Sequence, residues 1–168
     1  AAIDAARIPA AFVANTGTDN VSLRRQNFAF LSINQNQWST VEAAFRGVTI
    51  NGLPDPRVAV TNTGRVGTAQ GSLIFTPDKY PLLTTPMPIA RYAEAQLIVA
   101  EAKQAASDLA GAAAAINTVR ATRAGVPAYD VTGQTSAQVL ATIIEDRRRE
   151  LFLEGHRLGD IRRYALAL

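Results

Sequence analysis

The sequence predicts a mainly α protein built from helical hairpins, preceded by an irregular, loop-rich half. Three observations lead there. Residues 1–88 hold seven of the eight prolines and most of the Asn and Thr. Residues 89–168 are rich in Ala, Leu, Arg and Glu and are broken only by short turn signals. In that second half apolar residues recur at helical spacing, with capping residues where each run begins.

In the first half, residues 1–14 read as helix, apart from Pro9, which kinks or ends the first turns. Asn15 to Asn20 is a turn cluster. Residues 27–33 alternate weakly and fit a strand or a short buried helix. Asn34-Gln35-Asn36-Gln37 is a polar loop before Trp38, and 40–46 fits one or two helical turns. Asn51-Gly52-Leu53-Pro54-Asp55-Pro56 is a strong turn signal. Residues 58–61 and 72–75 read as extended pieces around a glycine-rich loop at 64–71. Residues 80–88 are extended and proline-punctuated.

The second half is better specified. A first helix is expected over about 89–106, entered at Pro88, with Ala93, Leu97, Ala100 and Gln104 on one face. Ser107 or Asp108 caps a second helix over 109–123, which Gly125 and Pro127 end. Thr135 and Gln138 have capping-box spacing and open a third helix. Its expected buried face carries Leu140, Ile144 and Leu151, and Gly155 is its expected stop. A fourth helix runs from about Arg157 to the chain end. Helices one and two make an antiparallel hairpin. Ala102, Ala114 and Ala121 have the spacing of small residues in tetratricopeptide repeats, which predicts buried alanine seams at Ala93, Ala100, Ala114 and Ala121. The expected division is 1–88 and 89–168, together one fragment of a larger domain.

Composition excludes much. The chain has 168 residues, 48 % apolar and 18 % charged, which is ordinary globular usage. No window approaches the roughly 18 apolar residues of a spanning helix. With no cysteine and one histidine, His156, a disulfide scaffold, a thiol nucleophile, a His/Cys metal site and a Ser-His-Asp triad are all disfavoured. No cofactor or metal is expected. The net charge is +3, and acids interleave with most of the arginines, so a nucleic-acid surface is not indicated. The stretch 64–71 contains Gly-Arg-Val-Gly but lacks the Gly-Lys-Ser/Thr of a phosphate loop. Residue 1 is Ala and no signal-peptide pattern follows, so the chain reads as a trimmed piece of something longer.

The most specific run is Arg147 to Arg163. Asp146, Glu150 and Glu154 recur every four residues and so line one helical face. Like charges at this spacing repel, and cations from other elements would relieve them. Arg91, Arg120, Arg123 and Arg157 are the candidates. With Glu94 and Asp160 they form an expected structural ion-pair network whose task is orientation. As a glycosidase pair, Glu150 and Glu154 are poorly suited, one turn apart and among arginines.

Three stretches carry a resemblance: Arg91-Tyr92-Ala93-Glu94-Ala95-Gln96-Leu97-Ile98-Val99-Ala100-Glu101-Ala102, then 116–125, then 147–163 with its arginine cluster, Glu-Leu, Glu-Gly and Asp-Ile-Arg-Arg. In this order they resemble the SusD/RagB family. Asp55-Pro56-Arg57-Val58 and Lys79-Tyr80 resemble it too. The family usually has Glu at the place of Asp146 and an aromatic near Leu158-Gly159. The resemblance implies a SusD-like fold and non-catalytic, cell-surface nutrient binding. The nutrient would be a glycan or another large nutrient, delivered to a SusC-type TonB-dependent outer-membrane transporter. It implies a lipoprotein parent on the extracellular face of the outer membrane, anchored through an N-terminal cysteine absent from this chain. A sugar-binding face needs exposed rings beside polar groups. Trp38, Tyr80 and Tyr129 are the candidate ligand-binding residues; the alternative for each is a buried ring with a polar tip. The competing function is a tetratricopeptide-like scaffold that binds a protein partner and no sugar.

Overall fold

The computed structural model describes residues 2–67 and 71–166. The fold is mainly α, and it divides into two units. One combines the described residues of Ala1–Ala14 with those of Ile89–Leu168; the other is Asn15–Pro88. The division thus differs from a single cut at residue 88, because the first residues join the helices of the second half. Among the described residues no helix is long and apolar enough to cross a membrane.

The helical unit opens with α1, Ala2–Ala5, far shorter than expected. Pro9 ends the helical potential, and the chain turns extended as β1, Val13–Asn15. Its partner is β6, Pro88–Arg91. The first long helix therefore does not start at Pro88. It is α2, Tyr92–Ala105, and its first N–H donates to the Phe12 carbonyl at 3.0 Å. The β1 neighbourhood thereby satisfies one of the helix's free donors.

Next comes α3, Leu109–Arg120, capped by Asp108, whose side chain accepts from the Gly111 N–H at 2.8 Å. A Cβ on Gly111 would stand 2.1 Å from an oxygen of that carboxylate. A side chain there would require the Asp108 carboxylate to shift. The fourth helix, α4, spans Ser136–Glu150 and has the expected capping box. The Thr135 N–H donates to Gln138 Oε1 at 2.7 Å, and Gln138 N–H donates back to Thr135 Oγ1 at 3.3 Å. It ends five residues before Gly155. The Glu150 carbonyl accepts from Arg91 Nη2 at 2.5 Å, and Glu154 N–H turns to Leu151 instead. Leu153 and Gly155 then adopt positive φ, 58° and 84°. The last helix, α5, is Arg157–Tyr164, closed by Ala165 at φ 52°. Ala167 and Leu168 of the expected fourth helix lie outside the described residues.

The core lies between α2, α3 and α4. One cluster joins Ala100, Ala112, Ala115, Ile116, Val139 and Ile143, and a second joins Ala93, Leu97, Val119 and Leu151. Two expected faces are corrected. On α4 the buried stripe is Val139, Ile143, Asp146 and Glu150, one residue round from Leu140 and Ile144, which are only half-buried. On α3 the buried alanines are Ala112, Ala113 and Ala115, while Ala114 and Ala121 are exposed. The alanine spacing that suggested tetratricopeptide repeats was therefore incidental in an Ala-rich chain; Ile116 and Val119 set the face.

The other unit is built from short pieces. β2, Thr49–Ile50, and β3, Leu53–Pro54, form a tight hairpin. Asn51 and Gly52 at its tip both have positive φ, 50° and 78°, as a two-residue turn of this hand requires. β4, Val60–Val66, pairs antiparallel with β5, Leu73–Pro77, from Val60 opposite Pro77 to Val66 opposite Leu73, with an irregularity between Asn62 and Val66. Residues 68–70 of the glycine-rich loop lie outside the described residues. Residues 27–33 become neither strand nor ordinary helix. Phe30–Gln35 is a π-helical turn in which the Asn36 N–H reaches back to the Leu31 carbonyl at 2.9 Å.

Candidate functional site

Two groups of residues could carry function, one in each unit. In the helical unit the acid stripe of α4 meets guanidiniums from α2, α3 and the turn after α3. Arg91 stands at the extended entrance to α2. Its Nη1 donates to Glu150 Oε1 at 2.7 Å, and its Nε and Nη2 both reach Glu154 at 2.9 Å. Arg123 adds a second pair to Glu150 Oε1 at 3.0 Å. Arg120 holds Asp146 through Nη2 at 2.9 Å. Glu150 is fully buried and Glu154 nearly so. Burial opposes ionisation of Glu150, but the Arg91 and Arg123 guanidiniums outweigh it and hold its carboxyl below the usual carboxylate range. Arg91 is likewise opposed by burial and raised by its two carboxylates. The asparagine-like shortness of Asp146 is met by the long side chain of Arg120 crossing from α3.

Several members differ from expectation. Arg157 makes no ion pair among the described residues; it begins α5, beyond the turn that carries Glu154 away. Glu94 meets His156 Nδ1 at 3.4 Å rather than an arginine. Asp160 is held by Arg147 at 3.0 Å, a partner outside the expected set. The network also runs on through Arg163 to Glu101 at 2.9 Å, and the Tyr164 hydroxyl donates to Glu101 at 2.8 Å. Burial first, and then Glu101, push the Tyr164 hydroxyl well above its ordinary range. A sequence signal for Arg147 was present, since it occupies the same face as Glu150 one turn earlier.

A general acid and base must reach a substrate, whereas Glu150 is buried and paired through Oε1 with Arg91 and Arg123, and Glu154 is paired with Arg91. The network fixes the entrance of α2 and the exit of α4.

The ring candidates separate sharply. Tyr80 is 1 % exposed, so its ring cannot meet a sugar. Tyr129 packs half-buried against the α2–α3–α4 core, with Arg120 over its ring at 5.5 Å. Its backbone is clamped by Asn117, which accepts from the Tyr129 N–H at 2.6 Å and donates to its carbonyl at 3.0 Å. The expected exposed ring is corrected at Tyr80, which is buried, while Tyr129 is half-buried: polar neighbours in sequence do not place a ring at the surface. Trp38 is 68 % exposed.

The surroundings of Trp38 are unusual. It follows the π-helical turn, and Gln37 just before it has φ 54°. Both features cost conformational energy and concentrate at sites of function. The Trp38 N–H donates to the Ser32 carbonyl at 2.9 Å, and Ser32 Oγ donates to the Phe28 carbonyl at 2.7 Å. Asn27 anchors the turn: it is fully buried, its N–H and Nδ2 donate to Leu83 and Thr85, and its Oδ1 accepts from Phe30. Phe28, 64 % exposed, is a ring that the polar-neighbour criterion missed. The buried Asp55–Arg57 pair, 2.7 Å between Nη2 and Oδ2, rigidifies the unit elsewhere. The family-like Asp-Pro-Arg-Val stretch is thus a structural turn.

Comparison with known proteins agrees with the motifs. The sequence profile of the SusD family matches residues 76–168. No curated protein matches the chain. Among solved structures, the chain is similar to a SusD-like protein from Bacteroides fragilis NCTC 9343, 37 % identical, with a TM-score of 0.44. The similarity covers 51 % of this chain and 16 % of that one. With its arginine-clamped helices inside the matched region, the chain belongs to the SusD family.

Proposed function

We propose that the full-length protein captures an extracellular nutrient, a glycan, without chemistry and passes it to a SusC-type TonB-dependent transporter. Membership of the SusD family is the observation that carries this reading. It is supported by the exposure of Trp38 on a strained, well-anchored turn. The engagement of Glu150 and Glu154 by Arg91 supports the non-catalytic part. In this reading the protein works at the outer face of the outer membrane, held by an N-terminal lipid outside the present chain. The helical unit serves as a rigid scaffold, and ligand contact falls to exposed rings.

Calorimetry of the full-length protein against an oligosaccharide panel, with pull-down of a TonB-dependent transporter from solubilised outer membranes, tests it. Saturable binding of a sugar together with co-purification of the transporter is expected. A stable helical-protein partner with no sugar bound would favour the scaffold function. Hydrolysis of any panel member would overturn both.

A further inference from the structure

We propose that α5 is a strap fastened by charge, which leaves α2 and α4 as a unit while the apolar core stays closed, with an ease of opening that ionic strength sets.

The contacts lay α5 along α2, running the same way. At its start, His156 Nδ1 lies 3.4 Å from Glu94 Oε1. At its end, Arg163 Nη1 stands 2.9 Å from Glu101, and the Tyr164 hydroxyl donates to the same carboxylate at 2.8 Å. Two turns of α5 thus match two turns of α2. Between these ends Asp160 accepts from Arg147 of α4, through Nη2 at 3.0 Å and Nε at 3.2 Å. Apolar packing adds little to this. Asp160 is the one buried residue of α5, Leu158 is mostly exposed, and neither the Ala100–Ile116–Ile143 cluster nor the Leu97–Val119 cluster includes a residue of the helix.

The docked position carries two costs. Arg147 Nη1 is buried with no hydrogen-bond partner among the described residues, and water would satisfy that donor on release. Leu153 before the helix and Ala165 after it hold φ of 58° and 52°, left-handed values that a Cβ disfavours. A segment held by a few polar contacts against such costs opens at lower free energy than the core. The fastenings also differ in their response to salt. The Arg163–Glu101 pair is partly exposed, with side chains 45 % and 26 % accessible, so it is screened. The Arg147–Asp160 pair is buried and is screened less. Salt therefore loosens the end of α5 first. Apolar burial around α3 does not depend on charge.

The test is amide hydrogen exchange of the full-length protein at neutral pH, read by mass spectrometry in about 0.05 M and about 1 M sodium chloride. Exchange in peptides covering α5 should rise roughly 3- to 10-fold at the higher salt. Glu101→Gln should produce a similar rise at low salt and remove most of the salt dependence. Asp160→Asn leaves Arg147 buried without a counter-charge and should speed α5 by roughly 10-fold or more. In every case peptides around Ile116 and Val119 of α3 should keep their rates. If Asp160→Asn does not fold, the salt series and Glu101→Gln decide the matter. Exchange of α5 as slow as that of α3 would show that the helix opens only with the whole unit, and overturns the strap. Joint acceleration of α5 and α3 overturns it as well. Fast exchange of α5 that neither salt nor Glu101→Gln alters would overturn the fastening by charge.

Discussion

Arg91 joins two carboxylates and the last carbonyl of α4. A planar fork is needed for this, and lysine, a point charge, cannot reproduce it. Arg91→Ala would leave Glu150 buried with only Arg123, itself half-exposed, to answer it. Removing one partner of a buried pair costs about 3–5 kcal/mol. Arg91→Lys should recover less than half of that. Chemical denaturation of the full-length variants, read by helical circular dichroism, checks both. Glu150 also sets a pH dependence. Its folded carboxyl titrates below its unfolded value of 4.5. Its stabilisation is therefore fully present above about pH 4.5 and is lost as pH falls through the lower folded value. Glu150→Gln should be less stable at neutral pH and show a flatter acid limb. An acid limb as steep as the parent's would assign that limb to other carboxylates.

At the scale of the element, each helix end has its own chemical cause. The caps were legible because they depend on neighbours: Thr135 with Gln138, Asp108 with Gly111. The stops were less legible because they depend on distant groups. No local signal says that α4 will end at Glu150, since its carbonyl is claimed by a residue 59 positions earlier. Buried faces were half legible. Ala93, Leu97 and Ala100 were readable from spacing on α2, whereas a uniform alanine background hid the true seam of α3. The difference can be measured. Ala100 is fully buried, so Ala100→Leu should overpack and cost about 1–3 kcal/mol. Ala114 is exposed, so Ala114→Leu should stay within about 0.5 kcal/mol. At the start of α3, Gly111→Ala should displace the Asp108 carboxylate and forfeit the cap, about 0.5–2 kcal/mol, although alanine is the better helix former. Thermal unfolding of the three variants separates these cases, and a stabilised Gly111→Ala would show that the cap geometry is dispensable.

Across the whole molecule, the two units use opposite means of holding shape. The helical unit has an apolar core of two clusters and a buried ionic layer. The family-like motifs lie here because ion pairs between distant elements demand particular residues at particular places, and that is why the sequence identified this half so readily. The other unit has short strands, a π-helical turn and side chain to backbone anchors such as those of Asn27 and Asn34. Its anchors link residues 43 to 58 positions apart without periodicity, so neither Phe28 nor the burial of Tyr80 could be read from pattern. Local opening follows from these differences, because segments poor in buried apolar contact open at lower free energy. In hydrogen exchange of the full-length protein, amides of α3 around Ile116 and Val119, both essentially inaccessible, should be the slowest in this stretch. Amides of 34–40 should exchange earlier by orders of magnitude at neutral pH. On acidification through the lowered folded value of Glu150, its protonation weakens the pairs with Arg91 and Arg123, and protection should fall first at the C-terminal turn of α4 and the N-terminal turn of α2. Loss of protection spread evenly over α3 and α4 would instead mean that the ionic layer and the apolar core open as one cooperative unit.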